Sequence, residues 1–476
     1  MKTIYPSLLG GLALSLTMTL ASCSLIEPGD TQSPNVTDDT YLNQPNAMQT
    51  WVNGVKMNFA QCMGSYAQLM EILSDNYYNN YTRSNRVFDT PVMKDNDEDV
   101  IQLQRYVGTL RESVDYAYNT VRRHDPTLTQ QEQYDLYTAK TFSQILAGEF
   151  FTALPDKDGG EPVEWRTHLT EALALADSVR QYAANDSARA FAHTLKARIY
   201  YRLGQKTEAV SEAKEALRQN SKFYVQVTYD GANNVNNVAQ EAIWGTWFQP
   251  LPRLDFLDPK YVQLSSTYQS PVTIAKAEED YLILAEAAAC DNDGNTARSY
   301  MQQLLTLVAQ RPVLHDVDDH LEGRFNGGSR HYPTGSAYAV AASADDSLRH
   351  GLVLDRTQPI SVPIISGTSV TTAMVEAAQT QDQLLELIYL MRQEIFFGEG
   401  RRPADLGLRM PLSNVEAAHV KDAKDYGKAV IPPFIPTDGG MDDFTMDKDN
   451  HTVVIKYNMN RVIVENKNSE YVVPFI

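Results

Sequence analysis

The chain has 476 residues, of which 43% are hydrophobic and 21% charged, and its formal net charge is −19. This composition excludes disorder across the whole chain, because it supplies the apolar side chains of a sizeable core. The acidity argues against nucleic acid and against an anionic membrane surface as partners, since both would be repelled. We therefore expect an acidic folded protein, and the charge fits a neutral ligand.

The N-terminal residues carry the pattern of a targeting signal. Lys2 precedes an uncharged stretch whose apolar centre is too short for a membrane-spanning helix. The stretch ends at residues 20–23 in Leu-Ala-Ser-Cys, which resembles a bacterial lipobox. This resemblance implies a signal peptide at 1–22 and a lipid anchor on Cys23, within a lipidated flexible tether at 23–40. An ordinary secretory peptide with an incidental cysteine is the alternative.

Two further cysteines, Cys62 and Cys290, are too few for a disulfide framework. The sequence does not decide whether they pair, and we favour a role as small buried apolar residues. No other stretch is long and apolar enough to span a bilayer. The sequence thus predicts a protein that is anchored to the membrane rather than threaded through it.

Helical periodicity begins near Tyr41 and recurs in pairs, within what we expect to be a single body at 41–476. The predicted pairs are 131–153 with 163–183, 187–203 with 206–219, and 277–290 with 295–310, followed by one strong helix at 382–398. Residues 291–294 resemble the start of a calcium loop, but the glycine comes two positions early. A helix–helix turn is therefore favoured there, and no metal is predicted.

One pair has the spacing of a tetratricopeptide repeat. The matching positions are Ala197, Tyr200, Gly204, Ala209 and Ala216. The alanines let two helices approach closely, the tyrosine fills the groove between them, and the glycine can end the first helix with a positive φ. Similar pairs at about 131–219 and 277–310 predict a mainly α fold with a right-handed superhelix. A generic helical hairpin is the alternative.

The remaining sequence is irregular. Residues 221–275 and 311–380 are rich in Asn, Gly, Pro, Ser and Tyr, with a few short β-like runs. Loops of this length in a compact body are usually functional, so we place the ligand site on this half. Two β-like runs at 453–455 and 462–464 predict a small hairpin near the C-terminus.

Binding is the chemistry that the composition supports, with 26 Tyr, 15 Phe and 4 Trp. Flat aromatic faces stack on sugar rings, and neighbouring amides and arginines can bond the hydroxyls, although peptide would also fit. The ligand-binding candidates are Tyr77, Tyr78, Tyr81 and Arg83; Trp244, Trp247 and Phe248; and Arg324, Arg330 and Tyr332. Three alternatives stay open for these segments in turn: a packed core with a polar turn, a strand with a core face, and a mobile surface loop.

Three segments resemble the SusD/RagB family. Residues 281–287 (YLILAEA) resemble one of its helices, and residues 392–406 (RQEIFFGEGRRPADL) resemble its most specific segment. Ala47 with Asn53-Gly54-Val55 resembles its N-terminal helix. The resemblance implies a SusD-like fold and an outer-membrane lipoprotein facing the cell exterior.

The family resemblance also implies a partner and a function. The protein would sit as a lid on a SusC-like TonB-dependent transporter, with its helix pairs facing that partner, and would capture oligomeric nutrients. We favour an oligosaccharide ligand, with an oligopeptide as the alternative. A scaffold without a ligand and a lipid-anchored hydrolase are the competing classes.

The 392–406 segment can also be interpreted residue by residue. Gly400 is a good stop for the helix before it. Glu394 and Glu399 could suggest acid/base catalysis, but nearby arginines would hold both ionised. A structural ion-pair network around the turn is favoured, with helix packing and charge pairing assigned to Arg392, Glu394, Glu399, Arg401, Arg402 and Asp405. No catalytic or nucleotide-binding motif occurs, so we predict no enzyme activity and no cofactor.

Overall fold

The computed structural model describes residues 41–79, 86–233, 235–244, 248–258, 260–262, 269–318, 332–421, 423, 426–437 and 440–476. The predictions for the signal peptide, the tether and Cys23 lie outside these residues. The same holds for five ligand candidates, Tyr81, Arg83, Trp247, Arg324 and Arg330.

Helices dominate the described chain, which confirms the predicted mainly α class. They are α1 Ala47–Ile72, α2 Arg86–Asp89, α3 Glu98–Tyr116, α4 Arg122–His124, α5 Gln130–Phe150, α6 Trp165–Tyr182, α7 Asp186–Arg202, α8 Lys206–Asn220, α9 Val238–Trp244, α10 Ala277–Cys290, α11 Gly294–Val308, α12 Thr372–Ala377, α13 Gln381–Ile395, α14 Arg402–Asp405, α15 Asn414–Ala417 and α16 Met459–Glu465. A π-helical turn at Ala117–Val121 joins α3 to α4, and 3₁₀ turns lie at Gly231–Asn233 and Pro252–Leu257.

The strands are short and form small separate sheets. They are β1 Tyr77–Asn79, β2 Ala153–Pro155, β3 Pro162–Glu164, β4 Tyr224–Val227, β5 Phe248–Pro250, β6 Val272–Lys276, β7 Val313–Val317, β8 Ala339–Ala341, β9 Ile360–Pro363, β10 Phe444–Asp447 and β11 Thr452–Ile455. In the described part of the chain, four two-stranded sheets pair β1 with β5, β2 with β3, β4 with β6, and β7 with β9, and one three-stranded sheet has the order β10-β11-β8.

Successive helix pairs pack against one another along the chain. Helix α5 packs on α6, α7 on α8, and α10 on α11, while α6 contacts α7 and α8 contacts α10. Helix α13 then packs on α10. Side-chain caps set several helix starts: Thr129 and Thr380 each form a capping box, with Glu132 and Gln383, and Asn185 accepts from the Ala188 amide.

The repeat-like pair α7–α8 closes with the predicted glycine. Gly204 has φ +73°, its amide donates to the Tyr201 carbonyl, and the next amide, of Gln205, donates to the Tyr200 carbonyl. These two bonds form a Schellman motif, which satisfies carbonyls that the end of α7 would otherwise leave open. The sequence-based reason for a glycine at this position is therefore correct.

Two adjacent tyrosines of α7 pack at the paired helices. Ala197 and Ala209 are fully buried, as the close approach of α7 and α8 requires. Tyr200 is partly buried and packs on the small apolar cluster that these alanines share with Phe475. Tyr201 is 1% exposed and faces α10, where its hydroxyl donates to Glu286 Oε2 at 2.9 Å. The groove-filling role of Tyr200 stays a prediction.

The predicted C-terminal hairpin is wrong in its second half. Residues 453–455 do form a strand, β11, but residues 462–464 lie in helix α16. Asn458 caps this helix by accepting from the Arg461 amide, and Ile463 and Val464 are buried. Strand β11 pairs instead with β10 in antiparallel and with β8 in parallel fashion.

The two cysteines in the folded body are both free. Cys62 is buried on α1 and Cys290 is half-buried at the end of α10, and burial raises the pKa of both thiols. Residues 291–294 form the turn between α10 and α11, where Asp293 caps α11 by accepting from the Thr296 amide at 3.1 Å. Within the described ranges, none of the helices is both long and apolar enough to cross a membrane.

Candidate functional site

Two short strands bring the predicted ligand segments together. Strand β1 pairs antiparallel with β5, so that Tyr78 lies opposite Gln249 and Asn79 opposite Phe248. Tyr332, from the third predicted segment, packs against Tyr78 with ring centroids 6.4 Å apart. We call this cluster the aromatic junction; its members are Tyr77, Tyr78, Phe248, Tyr332 and Phe444, the last of which contacts both Tyr78 and Tyr332.

Buried hydrogen bonds fix the tyrosine hydroxyls of the aromatic junction. Tyr77 Oη donates to Asp258 Oδ1 at 2.5 Å, and Tyr332 Oη donates to Asp255 Oδ1 at 3.0 Å. Arg356 lies between the two acids, with Nη1 at 2.7 Å from Asp255 Oδ2 and Nη2 at 3.8 Å from Asp258 Oδ2. Since the arginine keeps both carboxylates in place as acceptors, the rings are held rigidly.

Burial gives the junction residues a packing role. Tyr77 and Tyr78 are each 1% exposed, Phe248 is 2% exposed and Tyr332 is 5% exposed. Tyr77 also stacks on Phe397, with centroids 4.9 Å apart. The prediction that these four rings stack on a ligand is therefore corrected, because their faces are covered by protein. The alternatives of a packed core and a core strand describe Tyr77, Tyr78 and Phe248 better. Tyr332 is also buried, unlike a residue of the mobile surface loop that was its alternative.

The other candidates lie in segments joined to the aromatic junction. Trp244 is the last residue of α9, so it does not belong to the strand that follows. Residues 80–85 follow Asn79, residues 245–247 precede Phe248, and residues 319–331 precede Tyr332. These connections mean that the three predicted ligand segments, far apart in sequence, share one attachment point in the fold.

The 392–406 segment lies at the centre of a buried ion-pair network. Arg392 donates twice to Asp405, through Nε at 3.0 Å and Nη2 at 2.8 Å. Arg202 of α7 donates to the same carboxylate at 2.9 Å and also to Glu149 of α5 at 3.2 Å. Burial opposes ionisation of Asp405, but the attraction of the two arginines outweighs this effect and holds its pKa well below its usual value.

The other charged residues of the segment pair with distant parts of the chain rather than with one another. The partners are Glu279 for Arg401, Asp75 for Arg402, and Lys260 with Lys276 for Glu399. Of the predicted ion-pair network around the turn, the described residues thus confirm one pair inside the segment, Arg392 with Asp405. The acid Glu394 accepts three hydrogen bonds from Thr368 and Ser369, at 2.6–2.7 Å, and forms no ion pair with the described residues.

Gly400 is needed for a different reason from the one predicted. Helix α13 ends at Ile395, five residues earlier, so Gly400 is not its stop. Its φ is +69°, its amide donates to Glu71 Oε1 at 2.8 Å, and an added Cβ would lie 2.7 Å from the Tyr66 carbonyl oxygen. A glycine is required because the backbone of α1 approaches it closely. Burial also raises the pKa of Glu71, which accepts the bond from the Gly400 amide, to about 7.

Several members of the network were missed by the sequence analysis. Arg198 and Arg202 lie four residues apart on α7 and both contact Glu149. The sequence of α7 carries no clear signal for them, because the helix contains further charged and polar residues such as Arg189, His193 and Lys196. Lys260 and Lys276 carry no such signal, because each stands alone in an irregular or β segment.

The acids of the described site already have partners within the protein. In the described part of the chain, no group of three or more His, Cys, Asp or Glu residues is placed to hold a metal ion. Glu394 and Glu399 are occupied by hydroxyls and lysines respectively. A mainly helical body of stacked pairs thus carries the aromatic junction, and residues 80–85, 245–247 and 319–331 adjoin it in sequence.

Comparison with known proteins finds similarity to solved structures alone. No protein-family model and no curated protein matches the chain. Among solved structures, it is similar to a SusD-like carbohydrate binding protein from Bacteroides vulgatus, at 11% identity and TM-score 0.46 over 75% of this chain and 82% of that one.

Two further solved structures are similar to the chain. One is a SusD-like protein from Bacteroides fragilis, at 11% identity and TM-score 0.48 over 78% of this chain and 87% of that one. The other is a SusD superfamily protein from Bacteroides vulgatus, at 10% identity and TM-score 0.48 over 81% and 92%. These proteins carry the family name that the sequence motifs suggested.

Proposed function

We propose that this protein is a cell-surface lipoprotein that binds oligosaccharides and passes them to a SusC-like TonB-dependent transporter in the outer membrane. The observation that carries the binding role is the convergence of three predicted ligand segments at the aromatic junction. Five candidates remain in the attached segments, namely Tyr81, Arg83, Trp247, Arg324 and Arg330.

The residue types in these segments favour a sugar. Aromatic faces stack on the apolar faces of sugar rings, while guanidinium and amide groups bond hydroxyls in a directed way. Asn79, Asn80 and Arg83 are close in sequence to Tyr81, so both kinds of group come from one short stretch. An oligopeptide is the second ligand class, since the same groups accept peptide.

The buried network supplies a stiff platform for such segments. Arg402 holds Asp75 through two hydrogen bonds, at 2.7 and 3.0 Å, and Asp75 lies two residues before β1. A base that is already ordered adds little further entropy cost when a ligand binds, which favours affinity.

The binding role is tested on the soluble chain that starts after Cys23. We expect an oligosaccharide to bind in a glycan array and in calorimetry, and Trp247→Ala to weaken it by roughly tenfold or more. Trp51→Ala is the matched control: Trp51 packs on Tyr116 at 4.6 Å between centroids, so its loss should lower thermal stability and leave glycan affinity unchanged.

Other results would change the proposal in defined ways. Binding of peptides alone would replace the oligosaccharide by an oligopeptide. No ligand of either kind would favour the scaffold, and turnover of a polysaccharide by the pure protein would make it an enzyme.

The anchor and the partner are tested in cells. Cys23→Ala should release the protein from the membrane fraction, because the thiol that carries the lipid is gone. A protein that stays membrane-bound after this change contradicts the lipobox interpretation. A large outer-membrane transporter should co-purify with the wild-type protein, and its absence would contradict the lid.

A further inference from the structure

A separate cavity of about 440 Å³ lies where helix α6 begins. Three parts of the chain line it: residues 152 and 164–166, residues 409, 426 and 428–430, and residues 470–471. Its size falls within the range of small-molecule sites. None of the members of the aromatic junction lines it, so it is a different site.

Backbone hydrogen bonds join the walls of this cavity. Arg409 and Val430 exchange two of them, from each amide to the carbonyl of the other residue, at 3.0 and 2.9 Å. The Thr152 amide donates to the Met410 carbonyl at 3.0 Å, and the Thr152 carbonyl accepts from the Trp165 amide at 3.2 Å. Because these segments are bonded together, their part of the cavity is formed before any ligand arrives.

Two guanidinium groups share the ring of Trp165 at one wall. The Cζ atom of Arg409 lies 3.9 Å from the ring centroid, and the Cζ atom of Arg166 lies 4.1 Å from it. Attraction to the electron-rich face of the ring holds a guanidinium there, while its N–H groups still point outward in the guanidinium plane. Trp165 therefore gathers two cations beside one cavity.

Arg409 has no bonded partner for its charge in the part of the chain that the structure describes, whereas Arg198 and Arg202 both pair with Glu149. Of its three guanidinium nitrogens, Nε is enclosed and unbonded, so a ligand can reach only the two Nη groups. Burial, together with the nearby charges of Arg202 and Arg166, lowers the pKa of Arg409 to about 9. An anion beside these groups offsets the cost of keeping the side chain charged.

Positive charge is in excess around the cavity. Three cations line it, Arg166, Arg409 and Lys428, against two carboxylates, Glu164 and Glu470. No ion pair within the described ranges involves any of these five side chains, so neither acid neutralises an arginine. Both glutamates are exposed, and their oxygens remain acceptors for hydroxyl groups.

Two tyrosines give the cavity room for more than a simple ion. Tyr426 and Tyr471 are half-buried and line it. Aromatic side chains pack on the apolar face of a sugar ring, and a bare inorganic anion would leave most of the volume unfilled. The lining therefore combines donors for an acid, acceptors for hydroxyls and apolar surface for a ring.

We propose that this cavity binds an acidic sugar, with its carboxylate on Arg409 and Arg166 and its hydroxyls on the two exposed glutamates. Arginine suits a carboxylate because its planar fork donates parallel hydrogen bonds to both oxygens. The site is independent of the function proposed for the aromatic junction, so either of the two can fail alone.

Calorimetry with D-glucuronate on the soluble chain that starts after Cys23 tests this site. We expect glucuronate to bind, and D-glucose and inorganic sulfate each to bind at least roughly tenfold more weakly, because glucose lacks the charge and sulfate lacks the ring. Arg409→Met should weaken glucuronate by roughly tenfold or more and keep a thermal stability close to that of the wild type, since it breaks no hydrogen bond to a described residue. Arg218→Met, on the exposed face of α8, is the matched control and should leave binding unchanged.

Each contrary result overturns the proposal. Glucose binding as tightly as glucuronate, or equal affinity in the wild type and Arg409→Met, would exclude a carboxylate on this arginine. Sulfate binding as tightly as glucuronate would mean that the sugar ring is not recognised. Should Arg409→Met fail to fold, Arg166→Met on the exposed start of α6 replaces it, and an unchanged affinity in that variant would equally overturn the proposal.

Discussion

Asp405→Asn is the most direct test of the buried network. Asp405 is 3% exposed and accepts three hydrogen bonds, two from Arg392 and one from Arg202. Asparagine keeps the volume but removes the charge, and its NH₂ group points a donor at a guanidinium that also donates. Two buried cations thereby lose their shared counter-charge.

The expected loss of stability is about 3–5 kcal/mol, the usual cost of removing one partner from a buried ion pair. This is a large part of the roughly 5–15 kcal/mol that stabilises a typical folded protein. Urea unfolding of the soluble chain, followed by circular dichroism, measures it. Glu215→Gln is the control, because the pair of Glu215 with Arg218 is a surface pair whose loss should cost less than about 1 kcal/mol.

The pH dependence of Asp405→Asn gives an independent check. The pKa of Asp405 is depressed in the folded state, so its contribution is complete above its unfolded value of about 4 and is lost as pH falls through the folded value. The difference between wild type and variant should therefore be constant near neutral pH and shrink only in strong acid. A loss below about 1 kcal/mol at pH 7 would refute the reasoning, because a buried charge pair cannot be removed that cheaply.

Two further predictions concern the helix pairs. Gly204→Ala should destabilise the protein by about 1–2 kcal/mol in urea unfolding. The reason is that φ is +73° and the new Cβ would lie 3.0 Å from the Pro474 carbonyl oxygen. An unchanged stability would mean that this turn adapts freely. Burial raises the pKa of Glu286 to about 7, so its ionisation destabilises the fold as pH rises from about 4.5 to 7. Glu286→Gln should remove this trend and raise the free energy of unfolding by up to about 3 kcal/mol at pH 8. A wild-type stability that does not change over that pH range would contradict the prediction.

The helical body was predictable because its signals are local. Caps such as Thr380 with Gln383, and the glycine after α7, need only a few adjacent residues to be recognised. The run Val462-Ile463-Val464 was wrongly predicted as a strand because β-branched residues favour that structure. In the fold, Asn458 caps the segment and packing on α13 holds it as a helix. Tertiary contacts decided what propensity could not.

The partners in the site were not predictable because they are distant in sequence. Arg402 pairs with Asp75 across 327 positions, and Arg401 pairs with Glu279 across 122. Sequence shows that charges exist in the 392–406 segment but not which of them meet. Arg253 is the clearest case: beside prolines in a loop it resembles a surface arginine, and only the fold shows that it is buried.

One side chain connects the start of the aromatic junction to helix α16. Gln393 donates to Asp75 at 2.8 Å and to Asn76 at 3.1 Å, just before β1 of the aromatic junction. Its carbonyl oxygen accepts from Nδ2 of Asn460 in α16 at 2.8 Å. Because these bonds depend on one fixed amide orientation, rotation of Gln393 would disturb β1 and α16 together. The 392–406 segment is densely paired because the aromatic junction and the C-terminal helix both pack against it.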